Sequence, residues 1–289
     1  MLVSVIICFK NEKRFLYEAI SSVVHQSYPN WELILVDDGS SDTSTQIAQD
    51  IVSANPSKIK YVHHPHHLNK GLSASRNLGI SESKGEMICF LDADDVLLPT
   101  KIETQLKIFQ EHPDADVICE STEYWYDWEN PDKPNQVVHV GVAAGFIYQP
   151  AKLLFSLYPL GKGNAPCIHS MMIRKTVFET IGGFDPSFTG MYEDQVFLTK
   201  VYLNIRVFIS NECNNKYRIR EDSMSQQALH SGRYYFYRKA YLAWVVQYAK
   251  VHHHRVESLD KKIAAAAKEI QPWRIFTRKF LDKFRFEKQ

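Results

Sequence analysis

Short apolar runs alternate with amphipathic segments through the first 120 residues of the chain. Apolar runs bounded by polar turns indicate buried strands, and apolar residues spaced three and four apart indicate helices. The predicted strands are Val3–Phe9, 33–36, 59–62, 87–91 and Val117–Cys119. The predicted helices are 15–26, 42–52, 72–81 and a helix opened by Pro99 that runs to 111. This alternation is typical of an α/β fold with a mostly parallel sheet and helices on both faces.

The alternation stops at about residue 121, where aromatic residues, prolines and asparagines take over until about residue 150. A strand at 167–173 and helices at 175–181 and 192–203 follow. Beyond residue 228 the pattern is that of long helices, aromatic-rich at first and then basic. We therefore predict a domain of residues 1–228, with halves 1–120 and 121–228, and a basic C-terminal helical extension at 229–289.

The composition is that of a globular protein. Hydrophobic residues make up 45% of the 289 residues and charged residues 23%, which excludes a disordered chain. The five cysteines are widely spaced without a C-x-x-C pair, so they predict neither a disulfide framework nor a zinc site. No apolar run approaches the roughly 18 residues of a membrane-spanning helix. We therefore expect a reducing, cytoplasmic location.

Two acidic clusters stand where predicted strands end, and the carboxyl ends of parallel strands share one edge of a sheet. Asp92 and Asp94 lie one residue apart and can hold Mg²⁺ or Mn²⁺, which in turn binds phosphate oxygens. A solvated turn is the alternative for this cluster. At the other strand end, the carboxylates of Asp37 and Asp38 can accept hydrogen bonds from a nucleobase or a ribose. Arg76, near the start of a predicted helix, suits a diphosphate, with an exposed surface arginine as the alternative.

Taken in order, these motifs resemble the family 2 glycosyltransferases, over roughly residues 2 to 225. Each motif alone is weak, but the ordered combination is specific. The matching segments are VSVIICFKNE (3–12), AISSVVHQS (19–27), WELILVDDGSSD (31–42), GLSASRN (71–77), GEMICFLDADD (85–95), GGFD (182–185) and YED (192–194).

The resemblance implies the GT-A fold, a nucleotide-diphospho-sugar donor, Mn²⁺ or Mg²⁺ on the diphosphate, and inversion at the anomeric carbon. It assigns residues 1–120 to the donor and residues 121–228 to a saccharide acceptor, and UDP-sugar is the first expectation. For the nucleoside, the resemblance implies a nucleobase contact at Asp38, a pocket lined by Cys8, Phe9 and Asn11, and a ribose contact at Asp92 with Ala93 beside it. For the reaction, it implies a metal ligand at Asp94 and a general base at Asp194. General-base assistance contributes about 10²–10⁴-fold in rate.

The chain departs from the family pattern at two positions. Many members place a histidine where this chain has Arg220, and because arginine cannot ligate a metal, we expect Arg220 to hold the diphosphate by charge. Cys8 stands where a small hydroxyl residue is usual. On the acceptor side we expect Glu193, Trp125 and His169. Aromatic rings stack on sugars, but a loop aromatic and a core histidine are the alternatives for the last two.

Two further patterns stand out from the rest of the chain. The histidine-rich run at 63–67 contains a proline and is interpreted as a solvated connector rather than a metal site. Residues 1–228 carry 20 Lys and Arg against 28 Asp and Glu, whereas residues 229–289 carry 14 against 5. The total of +1 argues against a nucleic-acid-binding protein, yet the extension is strongly basic.

Within the extension, aromatic residues recur at helical spacing between basic residues over 273–286. These aromatic residues are Trp273, Phe276, Phe280 and Phe284. The pattern predicts a basic amphipathic helix on an anionic membrane surface, and a helix packed on the domain is the alternative. By analogy with polymer-building enzymes we favour the membrane, a lipid-linked acceptor and surface polysaccharide synthesis at the inner face of the cell membrane.

Two rival functions use similar features. A sugar-phosphate nucleotidylyltransferase shares the sheet and the metal, but its glycine- and arginine-rich first loop is absent from residues 9–12. A non-catalytic carbohydrate-binding or membrane-docking protein has no need of two acidic motifs. The sequence therefore favours a glycosyltransferase.

Overall fold

The secondary structure alternates as expected through residues 1–120 and becomes irregular beyond them. The computed structural model describes residues 1–223, 231–254, 256 and 258–268. Its strands are β1 Val3–Phe9, β2 Trp31–Asp37, β3 Ile59–His63, β4 Met87–Asp92, β5 Val96–Leu97, β6 Val117–Cys119, β7 Thr122–Trp125, β8 Gln136–Val138, β9 Phe146–Tyr148, β10 Met171–Arg174, β11 Val207–Ile209 and β12 Asn215–Arg218. Its α-helices are α1 Leu16–Val24, α2 Ser44–Ala54, α3 Leu72–Glu82, α4 Lys101–Glu111, α5 Thr176–Ile181, α6 Glu193–Asn204, α7 Tyr234–Val251 and α8 Leu259–Lys268.

The main sheet has the strand order β3-β2-β1-β4-β10-β6-β11-β9. Strands β3, β2, β1 and β4 are parallel, as the alternation predicts, and β10 runs antiparallel to both of its neighbours. In the register of β1, Cys8 lies opposite both Val36 of β2 and Asp92 of β4. The carboxyl ends of these three strands therefore meet at one edge, where both acidic clusters lie.

The central strands β1, β2 and β4 of the main sheet are almost entirely buried, and most of their residues are apolar, as expected for strands covered on both faces. All seven residues of β1 are buried. Side chains alternate in direction along a strand, so Ile6 packs into the core that contains α5, α6 and α7, whereas Ile7 packs into the core that contains α1 and α4. Packing on both faces therefore fixes the position of the carboxyl end of β1, which lies beneath the site.

A second sheet, ordered β5-β12-β7-β8, covers part of that edge. Sequence patterns did not predict these strands, nor β9 and β11, because each has only two to four residues. The predicted strand at 167–173 is also shorter than expected. Residues Ile168–Ser170 form a 3₁₀ turn, and β10 begins only at Met171. The helix expected from Pro99 likewise begins at Lys101, after a turn in which the Lys101 amide bonds to the Leu98 carbonyl.

The first helix of the extension is built into the body of the protein. Helix α7 packs on α6, and its residues Tyr241, Leu242 and Val245 belong to the buried core. Within the described parts of the chain, no helix combines the length and the apolar character needed to cross a membrane. The helix predicted at 273–286 lies outside the described residues.

Candidate active site

Asp37, the last residue of β2, is a structural anchor for the loop that follows. It is fully buried and accepts hydrogen bonds from the Ser40 amide (2.8 Å), the Thr45 hydroxyl (2.6 Å) and the Tyr61 hydroxyl (3.1 Å). Burial raises the pKa of Asp37, but the hydrogen bonds from Thr45 and Ser40 outweigh it and hold the pKa below its usual value. Asp37 therefore stays ionised and fixes the beginning of the loop.

Asp38 ties the loop before α3 to the end of β2. Its carboxylate accepts hydrogen bonds from the Lys70 amide (2.7 Å) and the Gly71 amide (3.0 Å). The two loops approach so closely that a Cβ added at Gly39 would lie 2.9 Å from the Asn69 nitrogen. Asp38 thus positions the start of α3, the helix that carries Arg76.

The histidine-rich run belongs to this site, and its interpretation as a solvated connector was wrong for His64 and His67. The His64 ring is buried and its Nε2 lies 2.9 Å from the Ser75 hydroxyl of α3. The Nε2 of His67 lies 3.0 Å from the Asp37 carboxylate. Sequence spacing gave no sign of this, because β3 places the run beside β2 only after the sheet has formed.

The residues expected at the nucleobase lie at the end of β1. Cys8 and Phe9 are buried, and burial raises the pKa of the Cys8 thiol far above its usual value. Asn11 has a left-handed backbone (φ 58°), and its side-chain oxygen accepts a hydrogen bond from the Ser41 amide (2.7 Å). The Phe9 carbonyl accepts from the Asp38 amide (2.9 Å). These contacts join the β1 and β2 loops into one wall.

Arg76 is the buried cation at the centre of the site. Its Nη2 donates to Asp92 Oδ1 (2.9 Å), and its Nη1 lies 4.0 Å from Glu193 Oε1. Only 3% of Arg76 is exposed, so the surface-arginine alternative is wrong. Burial raises the pKa of Asp92, but Arg76 and then His169 hold it well below its usual value. Arg76 thereby joins the Asp92 carboxylate of β4 to the Glu193 carboxyl group of α6, about 100 residues away in the chain.

Asp94 faces Arg220 across the mouth of the site. The Oδ2 atom of Asp94 lies 3.2 Å from Nη2 of Arg220, whose Nη1 donates to Glu12 (3.1 Å). Burial, Asp92 and Glu12 together raise the pKa of Asp94 to about 6, against the opposing charge of Arg220. The residue between the two aspartates, Ala93, is buried. Arg220 therefore links the loops after β1 and β4, although it lies more than 200 residues from Glu12 in the chain.

Asp95 and His169 lie behind the exposed edge of the acidic cluster. Asp95 is fully buried and accepts a hydrogen bond from the Arg218 amide (2.7 Å). His169 is also buried. Its Nδ1 lies 3.2 Å from Asp95 Oδ2 and 3.9 Å from Asp92 Oδ2, and its ring is parallel to that of Tyr217. Neither ring nitrogen of His169 has a hydrogen-bond partner among the described residues.

These residues fit a divalent cation. One ligand atom each from Asp92, Asp95 and His169 lies within 4.8 Å of the others, while Asp94 offers a further carboxylate at the same rim. Carboxylate oxygens suit both Mg²⁺ and Mn²⁺, and the unpartnered imidazole adds a nitrogen ligand. The sequence motif identified Asp92 and Asp94. It did not identify the inner pair, because His169 reaches the motif only through the antiparallel pairing of β10 with β4.

Glu193 and Asp194 begin α6 on the other side of Arg76. Burial and the adjacent Asp194 raise the pKa of Glu193 to about 8, against the opposing charge of Arg76. Burial also raises the pKa of Asp194, while hydrogen bonds from Gln195 and the charge of Arg76 partly oppose it. Carboxyl groups with raised pKa values are suited to accept or share a proton.

Trp125 lies beside the site rather than in its centre. The Arg218 guanidinium stands 4.2 Å above the Trp125 ring and 4.9 Å above that of Trp128, whose indole donates to the Ile219 carbonyl (3.1 Å). Sequence reasoning did not identify Arg218, which also donates to Glu18 (2.6 Å) and to the Asp94 carbonyl (2.6 Å). Trp125, the last residue of β7, and Trp128 therefore pack on Arg218 of β12, which places that part of the second sheet beside the acidic cluster.

The chain was compared with known proteins. Residues 4–182 match the family model described as Glycosyl transferase family 2. The putative glycosyltransferase EpsE of Bacillus subtilis is 32% identical over 187 residues, which are 63% of this chain and 59% of EpsE. The uncharacterized glycosyltransferase RP339 of Rickettsia prowazekii is 31% identical over 230 residues, 79% of this chain and 67% of the relative. The match with the uncharacterized glycosyltransferase RC0461 of Rickettsia conorii spans only 23% of that protein.

Solved structures share the fold at low sequence identity. The complex of S. aureus TarS 1–349 with UDP-GlcNAc has a TM-score of 0.61 and 22% identity, covering 78% of this chain and 61% of that one. The mannosyltransferase PcManGT of Pyrobaculum calidifontis, in complex with GDP-Man and Mn²⁺, has a TM-score of 0.58 and 16% identity, covering 93% and 69%. The fold is thus the GT-A fold that the sequence implied. The chain belongs to glycosyl transferase family 2.

Proposed function

We propose that the protein transfers a sugar from a nucleotide-diphospho-sugar to a saccharide acceptor, with inversion at the anomeric carbon. The contact of Arg76 with both Asp92 and Glu193 carries the proposal. It brings the acidic cluster at the end of β4, suited to a diphosphate with a cation, close to a second carboxyl pair suited to proton transfer. A nucleotidylyltransferase or a binding protein has no need of this second pair, and family membership weighs against both.

Asp194 is the proposed general base. As the acceptor hydroxyl oxygen forms its bond to the anomeric carbon, its proton passes to the Asp194 carboxylate. The bond from the anomeric carbon to the diphosphate oxygen breaks, and the nucleoside diphosphate leaves from the opposite face of the sugar, which inverts the configuration. The raised pKa of Asp194 brings this base closer to the operating pH.

Arg76 and Arg220 are the residues assigned to the departing diphosphate, where negative charge grows as the bond breaks. Mn²⁺ or Mg²⁺ would supply further neutralisation of that charge when bound, with Asp94 as the proposed ligand and with Asp92, Asp95 and His169 as further groups that could hold it. Glu193, whose pKa of about 8 keeps it protonated at neutral pH, donates a hydrogen bond on the acceptor side. Cys8, Phe9, Asn11 and Asp38 are assigned to the wall of the nucleobase pocket.

UDP-sugar is the proposed donor, and the UDP-GlcNAc complex of TarS supports it at the level of the fold. We further propose a lipid-linked saccharide acceptor in polysaccharide synthesis, with residues 273–286 on the membrane surface. Co-sedimentation with anionic vesicles tests this location. The control is a variant with the basic residues of 273–286 replaced by glutamine. Equal sedimentation of the two proteins would argue against a membrane role.

A ligand screen tests the donor. A ligand that binds only the folded state raises its stability by mass action. We expect UDP with Mn²⁺ to raise the melting temperature more than GDP or dTDP with Mn²⁺, and expect Asp94→Ala to abolish the metal-dependent part. Release of UDP from UDP-sugars is then followed by mass spectrometry. No response to any nucleotide, and no release from any nucleotide sugar, would contradict the proposal.

A further inference from the structure

The segment 185–192 leads directly into the Glu193-Asp194 pair, and both of its ends are held by contacts outside it. At its start, the Phe184 amide donates to Asn77 Oδ1 (2.9 Å), and Asn77 Nδ2 donates to the Phe184 carbonyl (2.9 Å). Asn77 follows Arg76 on α3, so the same helix fixes the central cation and the beginning of the segment.

Helix α7 contacts the segment through Trp244 and Tyr237 before the last residue of the segment is reached. The Trp244 indole donates to Asp185 Oδ2 (2.8 Å). Further along, Gly190 has φ 127°, and a Cβ added there would lie 2.8 Å from the Tyr237 hydroxyl. Only glycine combines this backbone conformation with so close an approach. The segment is therefore shaped to lie against α7.

Tyr192, the last residue of the segment, is the third and most enclosed contact. Its hydroxyl lies 2.5 Å from that of Tyr158, and Arg238 of α7 donates to it (3.4 Å). The Tyr158 hydroxyl lies 2.9 Å from that of Tyr234, and the Tyr192 ring centre is 5.2 Å from that of Tyr241. Only 3% of Tyr192 is exposed.

The backbone of Tyr192 shows why these contacts matter. Its φ of 73° is left-handed, a conformation that a residue with a bulky side chain rarely adopts without support from its surroundings. The same residue sets the first turn of α6, because its carbonyl accepts the Val196 amide (2.9 Å). Glu193 and Asp194 lie within that turn, so we expect a change in the Tyr192 backbone to move both carboxyl groups relative to Arg76.

We infer that α7 positions the proposed general base, with Tyr192 as the positioning residue through which it acts. This inference rests on the proposed function of Asp194. It makes the beginning of the helical extension part of the active-site scaffold, although no residue of α7 supplies the reacting carboxylate.

Tyr192→Phe tests the inference, because it removes the hydroxyl and keeps the ring. Tyr235→Phe is the matched control. Tyr235 lies on α7 against the Tyr234 ring, outside the group of hydroxyls formed by Tyr158, Tyr192 and Tyr234. We expect Tyr192→Phe to lower kcat at least tenfold, to leave the KM for the nucleotide sugar within twofold, and to shift the acidic limb of the kcat pH profile. We also expect faster amide exchange in peptides covering 185–194, measured by mass spectrometry.

Trp244→Phe provides a second test at the start of the segment, where the Trp244 indole donates to Asp185, and it is expected to accelerate exchange in the same peptides. If Tyr192→Phe does not fold, Tyr234→Phe replaces it with the same expected results. Exchange and kcat equal to those of Tyr235→Phe would overturn the inference. A wild-type protein that turns over no donor would instead contradict the proposed function, whereas the exchange measurement would still decide whether α7 holds the segment.

Discussion

Replacing Glu193 by Gln removes a carboxyl group that is almost buried between Arg76 and Asp194. Its side chain is 11% exposed, and its pKa is raised from 4.5 to about 8. The folded protein therefore binds this proton more tightly than the unfolded chain does. The wild type therefore loses stability as this carboxyl group ionises. The loss is absent below about pH 4.5, grows as the pH rises, and is complete above about pH 8.

The size of this effect follows from the pKa interval. One pKa unit corresponds to about 1.4 kcal/mol, so an interval of roughly 3.5 units sets a ceiling of about 5 kcal/mol. Local relaxation around a buried charge reduces such penalties, and we expect about 1–3 kcal/mol. The free energy of unfolding of Glu193→Gln minus that of the wild type should therefore increase by this amount between pH 5 and pH 8.5.

Urea unfolding at these two pH values, with EDTA present to remove metal, measures the difference. Glu179→Gln is the control, because Glu179 is exposed on α5. Its difference from the wild type should stay within about 0.5 kcal/mol at both pH values. A Glu193→Gln difference that is the same at pH 5 and pH 8.5 would refute the electrostatic description of the site.

Two other substitutions test how the scaffold is held. Lys101→Met leaves the fully buried Glu120 without the cation that lies 3.5 Å from it, and should lower the free energy of unfolding by about 3–5 kcal/mol. The control is Lys107→Met, at an exposed position of the same helix, which should change the free energy of unfolding by less than about 1 kcal/mol. Asn77→Ala removes both hydrogen bonds to the Phe184 backbone and should cost about 2–4 kcal/mol in urea unfolding. A cost below 1 kcal/mol at either buried position would contradict the role given to that contact.

The sequence predicted the central sheet well because β1, β2 and β4 are buried on both faces. Such strands are mostly apolar and therefore stand out from the turns around them, whereas β3 has exposed residues at Lys60 and His63. The strands of the second sheet do not stand out in this way. β12 reads Asn-Lys-Tyr-Arg, and its strand conformation depends on pairing with β5 and β7, which lie far away in the chain. Local periodicity cannot indicate pairing of this kind.

The same limit applies to the site. Asp92, Asp94 and Arg76 were identified because they belong to short motifs at strand and helix ends. The hydrogen bond from Arg220 to Glu12 joins residues more than 200 positions apart, and no local sequence pattern predicts it. His169 was weighed only as a core residue or an acceptor contact, since its approach to Asp95 depends on an antiparallel strand inserted into a mostly parallel sheet.

The central claim is that Asp94 binds the cation on the donor diphosphate, whereas Asp194 accepts the proton of the acceptor hydroxyl. Calorimetry with UDP and Mn²⁺ on Asp194→Asn, together with turnover of the UDP-sugar, tests it most directly. We expect UDP affinity within about threefold of the wild type and a loss of turnover of about 10²–10⁴-fold. Asp94→Ala should instead lose metal-dependent binding. An Asp194→Asn variant that loses binding as Asp94→Ala does, or that keeps wild-type turnover, would contradict the claim.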